Sequence, residues 1–149
     1  MIRIEIKQLI KAEIDQVFKH ISNHEVFLSG LPGATARVVK SGTAERDGLG
    51  CIREVRVGKR IRYLEEITSW NPPNSFAYLI KEASMPIKHY GSQIELQKIN
   101  QSTEVTWKSH YEVPVPFIGW IVGYFMKSRY EAAFAAMLKE AQNRLENPN

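Results

Sequence analysis

The side chains of this sequence best placed to do chemistry are one arginine set among apolar neighbours, six tyrosines and four histidines. Arg53 alternates in phase with Cys51, Val55 and Val57, so a strand here turns it toward an apolar interior, where an unpaired charge is costly. It needs a carboxylate, and Glu54, Glu65 and Glu66 are the ones at hand. On a cavity wall such an arginine binds a ligand carboxylate or polarises a carbonyl; an Arg–Glu pair that satisfies only itself is the plainer expectation. Tyr78, Tyr90, Tyr111 and Tyr130 carry hydroxyls able to move a proton, although tyrosine is also an ordinary way to finish a cavity wall. His89 and His110 fall out of phase with the apolar rows of their strands and are expected on the wetter face, unless a bulge reverses the phase. His20 and His24 stand four apart, the spacing of two metal ligands on one helix. Turn chemistry at Ser22-Asn23 separates them, and with no third ligand suitably spaced they are read as surface histidines, with no metal. Cys51, the one cysteine, excludes an internal disulfide and a multi-cysteine zinc site, and at a strand start it is expected to be a buried, inert thiol. No phosphate-cradling glycine loop or dinucleotide fingerprint is present, so no nucleotide cofactor is expected.

The elements that position these groups follow from periodicity. Ile2, Ile4 and Ile6 alternate with Arg3, Glu5 and Lys7, the pattern of a half-buried strand. Ile14, Val17, Phe18 and Ile21 then recur at helical spacing over residues 12–21, and Ser22-Asn23 offers a cap for a second short helix, His24 to Leu28. After Ser29-Gly30-Leu31-Pro32-Gly33 the signals are strands only, predicted at 36–42, 49–57, 59–70, 75–83, 87–99 and 103–113. The joints between them are short, which favours antiparallel hairpins because parallel neighbours need long crossovers. From Pro116 to Leu145 one long helix is predicted. Val122, Met126, Tyr130, Phe134, Met137, Ala141 and Leu145 fall on one side, widened by Ile118, Ile121 and Phe125 and thinned by Ala132, Ala133, Ala135 and Ala136.

A chain of 149 residues, 44% hydrophobic and 24% charged, suits one α+β domain with a single core. The apolar run from Phe117 to Met126 is about half the ~20 residues needed to cross a bilayer. The opening residues alternate and lack a signal-peptide core, so the cytoplasm is the expected compartment. A net charge of +4 raises the question of an anionic partner. The densest basic group, Arg53, Arg56, Lys59, Arg60 and Arg62, is diluted by glutamates and lacks stacking aromatics, so it reads as a solvated hairpin face and no nucleic-acid partner is expected.

Three stretches carry a family resemblance: Gly50-Cys51-Ile52-Arg53 opening a strand, Glu65-Glu66-Ile67-Thr68-Ser69-Trp70-Asn71-Pro72-Pro73 ending the next, and Ser102 to Trp107 before Tyr111-Glu112-Val113-Pro114. With the order of elements, they resemble the SRPBCC superfamily, the START-like, birch-pollen-allergen-like helix-grip fold, in its polyketide cyclase/dehydrase-like branch. The resemblance covers nearly the whole chain. It implies a curved seven-stranded antiparallel sheet wrapped around the long C-terminal helix, two short helices after the first strand, and a hydrophobic cavity between sheet and helix. It also favours Glu66 as the acidic partner of Arg53.

On that frame the inner rows are Val105, Trp107, Ser109 and Tyr111 on the last strand, Tyr90, Ser92, Ile94 and Leu96 beside it, and Phe76, Tyr78 and Ile80. The expected ligand-binding set is Arg53, Glu66, Tyr78, Tyr90, Trp107, Tyr111, Phe125, Tyr130, Phe134 and Met137. The expected function is binding or transport of a lipid-like or polycyclic small molecule. The alternative is a cyclase/dehydratase-type enzyme in which a cavity tyrosine or histidine moves a proton. A third reading makes Phe117 and Trp120 an exposed contact for a protein or, transiently, a membrane. A monomer or homodimer is expected, with no cofactor.

Overall fold

A computed structural model describes residues 1–148. Strand β1 (Ile2–Ile10) is followed by α1 (Ile14–Ser22) and α2 (His24–Leu28), then by β2 (Ala34–Lys40), β3 (Ile52–Val57), β4 (Ile61–Asn71), β5 (Ser75–Ala83), β6 (Lys88–Ile99) and β7 (Ser102–Glu112), and last by α3 (Gly119–Glu146). The seven strands form one antiparallel sheet in the order β1-β7-β6-β5-β4-β3-β2. Only the β1–β7 pairing is non-sequential. It closes the meander by laying the chain's first strand beside its last, with Ile2 opposite Tyr111 and Ile6 opposite Trp107. This is the helix-grip architecture, with the sheet curving around α3.

The short helices are held locally. Asn23 ends α1 and caps α2, its side chain accepting from the Val26 N–H at 3.3 Å, which is why the helical pattern breaks there. Val17, Phe18 and Ile21 of α1 and Phe27 and Leu28 of α2 face inward and join Ile67, Phe76, Ile94, Leu96 and Val105 from the sheet. Met137, Leu138 and Ala141 close that core from α3. A second, smaller cluster of Ile2, Ile4, Tyr111 and Val113 meets Val122, Met126 and Tyr130.

The predicted stripe on α3 is the face that packs, but the helix starts three residues later than expected. Residues 116–118 form a turn whose Phe117 has φ 68°. Gly119 is required at the start because a Cβ there would sit 2.2 Å from the Val113 carbonyl oxygen. The helix is also narrower in its apolar contact than expected, since Ile118, Ile121 and Phe125 are all at least half exposed.

The bulge that would reverse the phase of His89 is present. The β6–β7 register shifts between His89 and Gly91, and Gly91 adopts φ 134°, open to glycine and strained for other residues. His89 therefore points inward and Tyr90 outward. The basic hairpin face is organised by Glu54, which accepts from Arg62 at 2.7 Å, Arg37 at 3.0 Å and Arg56 at 3.1 Å. Those three arginines, Arg62 foremost, hold its carboxyl down at about 2.

Candidate ligand cavity

Between α2, the concave sheet face and the middle of α3 lies a cavity of about 260 Å³. Its wall is mainly apolar and aromatic: Ile4, Leu28, Leu31, Val55, Val57, Ile61, Ile80 and Ile87, with Tyr63, Trp107, Tyr111, Tyr130, Ala133, Phe134 and Met137. Arg129, Ile61, Ile87 and Leu31 keep some exposure and mark where it reaches the surface. Phe134 lies flat on Trp107, ring centroids 3.9 Å apart and planes within 4°, so helix and sheet touch directly at mid-cavity.

Of the residues expected to bind ligand, Tyr78, Trp107, Tyr111, Tyr130, Phe134 and Met137 line this space. Four do not. Tyr90 is 41% exposed on the convex side, its hydroxyl donating to Glu112, because the Gly91 bulge turns it outward. Phe125 is 63% exposed on the outer side of α3, under the Arg129 guanidinium. Glu66 faces away and pairs with Lys81 at 3.6 Å. The strand register explains this: Arg53 stands opposite Glu65, whereas Glu66 stands opposite Ile52 on the other face. Arg53 itself is fully buried but lies behind the wall, with Glu65 and the Tyr78 ring in front of it.

The polar groups gather at one end of the cavity. Glu65 accepts from Arg53 Nε at 3.3 Å and from His24 Nε2 at 3.1 Å, and all three side chains are almost wholly buried. Burial raises the Glu65 carboxyl, yet His24 and Arg53 outweigh it and hold the group below the usual carboxylate range. Burial, with the Arg53 charge, lowers His24 despite the pull of Glu65. The trio is thus a neutral histidine beside a compensated Arg–Glu pair, since a third charge in this apolar setting would be costly. With the Nε2 proton directed at Glu65, His24 Nδ1 keeps its lone pair, and it has no partner among the described residues.

His89 continues the polar end. The Ile80 N–H donates to its Nδ1 at 2.9 Å, which leaves the proton on Nε2 for Ser92 Oγ at 2.8 Å and Ser109 Oγ at 3.3 Å. Burial holds its pKa at about 4. Ser92 donates onward to Ser109 at 2.8 Å, and Tyr78 stacks on the His89 ring at 5.8 Å.

The other tyrosine hydroxyls are committed elsewhere. Tyr111 donates to the Gly123 carbonyl at 2.7 Å, and burial pushes it up to about 12. Tyr63 and Tyr130 bond each other at 3.0 Å and contact the Met85 sulfur, and burial raises both.

His24, Glu65 and His89 were missed as cavity residues by sequence reasoning. Glu65 had a signal, because it alternates in phase with Tyr63 and Ile67. His89 had one in Gly91. His24 had none, since a five-residue helix shows no reliable periodicity.

The family model described as "Polyketide cyclase / dehydrase and lipid transport" matches residues 1–146. No curated protein matches the sequence. Among solved structures, a protein from Thermus thermophilus superposes with a TM-score of 0.80 at 18% identity, covering 99% of each chain. A START superfamily protein from Mycobacterium smegmatis gives 0.77 at 12% identity, again over 99% of each chain. The Aha1 dimer from Colwellia psychrerythraea gives 0.69 at 13% identity, covering 99% of this chain and 98% of that one. At these identities the structures speak to the fold. Among the described residues, no helix is long and apolar enough to cross a membrane.

Proposed function

The chain belongs to the polyketide cyclase/dehydrase and lipid transport family, and from that premise we propose that it binds a lipid-like or polycyclic small molecule between sheet and C-terminal helix. The observation that carries this reading is the cavity itself, about 260 Å³ with a mainly aromatic and aliphatic wall, His24, Glu65 and His89 together at one end and Arg129 at the mouth. Pockets for drug-sized ligands run from about 300 Å³ upward, so this space suits a compact ring system or a single acyl chain. Burial at roughly 25 cal/mol per Å² of apolar surface would supply the affinity. Native mass spectrometry of protein purified without detergent, followed by extraction, tests the reading. A co-purifying hydrophobic compound is the expected result, and repeated recovery of empty protein that also fails to take up 2-naphthol would overturn it.

A surface beside the cavity fits the carrier reading. Phe117 is 95% exposed and Trp120 67%, with Ile121, Tyr124 and Phe125 at least half exposed next to them. Residues 113–130 hold Lys127 and Arg129 and no acidic side chain. Apolar residues interspersed with Lys127 and Arg129, with Glu112 and Glu131 only at the borders of the stretch, match an anionic lipid surface, and Arg129 joins this patch to the cavity wall.

Proton-transfer chemistry is a second reading, favoured by the His24–Glu65 pair. A carboxylate orienting an imidazole whose other nitrogen is free is the arrangement of a general base. Its test is deuterium uptake at the α-carbon of 2-tetralone in D2O. Exchange above the buffer rate that disappears in H24F supports it, and exchange at the buffer rate rules it out for this class of ketone.

A further inference from the structure

Resting on the cavity-binding reading, we propose that the polar end of the cavity recognises a neutral hydroxyl-bearing ring, phenolic or enolic, and discriminates against carboxylates. Three buried nitrogens at this end lack partners among the described residues: Arg53 Nη2, which is not part of the cavity lining, and two that are complementary, His24 Nδ1, which offers a lone pair, and Trp107 Nε1, beside the Tyr78 hydroxyl, which offers a proton. His24 and Trp107 both line the cavity. Unmet groups of this kind are costly when buried, and a ligand carrying an O–H satisfies the imidazole as donor and the indole as acceptor. His24 and Trp107 both pack against Phe27, whose ring lies 6.1 Å from the imidazole and 5.6 Å from the indole, so both belong to one end of the cavity.

The charge of the ligand follows from Glu65. This carboxylate is part of the cavity lining, whereas Arg53, which compensates it, is not. An anionic head group entering here meets a negative charge at the wall, with the Arg53 guanidinium behind it, bonded through Nε to Glu65 and through Nη1 to the Ser22 carbonyl, and with the cation of the lining, Arg129, exposed at the mouth rather than at this end. His89 adds no positive charge to relieve that repulsion, because its Nδ1 accepts the Ile80 N–H and its Nε2–H is directed at Ser92 and Ser109. The arginine that sequence alone marks as a carboxylate receptor thus helps make a carboxylate unwelcome: with His24 it holds Glu65 ionised.

Three probes of one ring size separate these effects: naphthalene, 2-naphthol and 2-naphthoate, titrated against the intact chain by tryptophan fluorescence and calorimetry at pH 7.5. The expected order is 2-naphthol tighter than naphthalene by about tenfold, with 2-naphthoate weaker than both. In H24F and, separately, in W107F the advantage of 2-naphthol over naphthalene shrinks toward unity. W107F keeps an aromatic ring against Phe134, so it reports even where H24F fails to fold. Equal binding of naphthalene and 2-naphthol, or tightest binding of 2-naphthoate, overturns this inference while leaving the cavity-binding reading intact. Failure of all three to bind overturns both.

Discussion

His24 Nε2 and Arg53 Nε converge on one oxygen of Glu65, at 3.1 and 3.3 Å, in a site almost closed to solvent. The carboxylate is the hub: without it Arg53 becomes a buried charge with no counterion. Glu65→Gln is expected to cost about 3–5 kcal/mol in urea denaturation, the range for breaking a buried pair from one side. Glu66→Gln, beside it in sequence but paired only with the half-exposed Lys81, should change stability by less than about 0.5 kcal/mol. Similar losses at both positions would mean that Glu65 is not the compensating group.

Acid should destabilise this fold earlier than carboxylates alone would require. His89 titrates near 4 when folded, against 6.5 as a free side chain, with burial as the main cause, Glu65 opposing and His110 reinforcing. Between those values the unfolded chain holds a proton that the folded chain refuses, so stability falls as pH drops from 6.5 toward 4. The loss is on the order of 3 kcal/mol. His24, also lowered by burial and by Arg53, acts in the same direction below 6.5. Urea midpoints measured from pH 7.5 to 4 should show this slope, and His89→Gln should flatten it. An unchanged slope in that variant would place the titrating group elsewhere.

The contrast between Glu65 and Glu66 also shows what was legible beforehand. Element order and the β5 boundaries follow from period-two and period-3.6 patterning, and the α2 boundaries from the Ser22-Asn23 cap and the turn after Leu28, because those signals are local. Arg53 was rightly placed inside by alternation. Its partner was not, although the same alternation carried to β4 puts Glu65 in phase with Tyr63 and Ile67; the family pattern pointed one residue too far. Tyr90 and His89 exchanged faces because a single bulged residue inverts a strand's phase beyond it, and only Gly91 marked the place. Phe125 went to the wrong side because α3 packs along a narrow stripe, leaving its other apolar residues exposed for reasons of surface rather than core.

Those exposed residues make a prediction of their own. Vesicles containing phosphatidylglycerol should sediment the protein, while neutral phosphatidylcholine vesicles should do so less, because Lys127 and Arg129 are the only charges over residues 113–130. Trp120→Ser combined with Phe117→Ser should abolish sedimentation with little change in stability, both side chains being mostly exposed. A wild-type protein that ignores anionic vesicles but forms dimers lost in the double variant would reassign the patch to a second copy of the chain.

The alanines of α3 set how much of the cavity is available to a ligand. Ala133 lines it, whereas Ala136, about one helical turn further along, is exposed. Ala133→Leu pushes a branched side chain into the space between Phe134, Tyr130 and the sheet. Because that space is open, the folding cost should stay below about 1 kcal/mol, less than overpacking a filled core usually exacts. Affinity for 2-naphthol should fall by roughly tenfold or more, since a side chain of this size occupies volume the ring needs. Ala136→Leu should leave both quantities nearly unchanged. If Ala133→Leu instead unfolds the protein while the residual folded fraction binds 2-naphthol normally, the helix is packed solid against the sheet at this level and the ligand lies elsewhere.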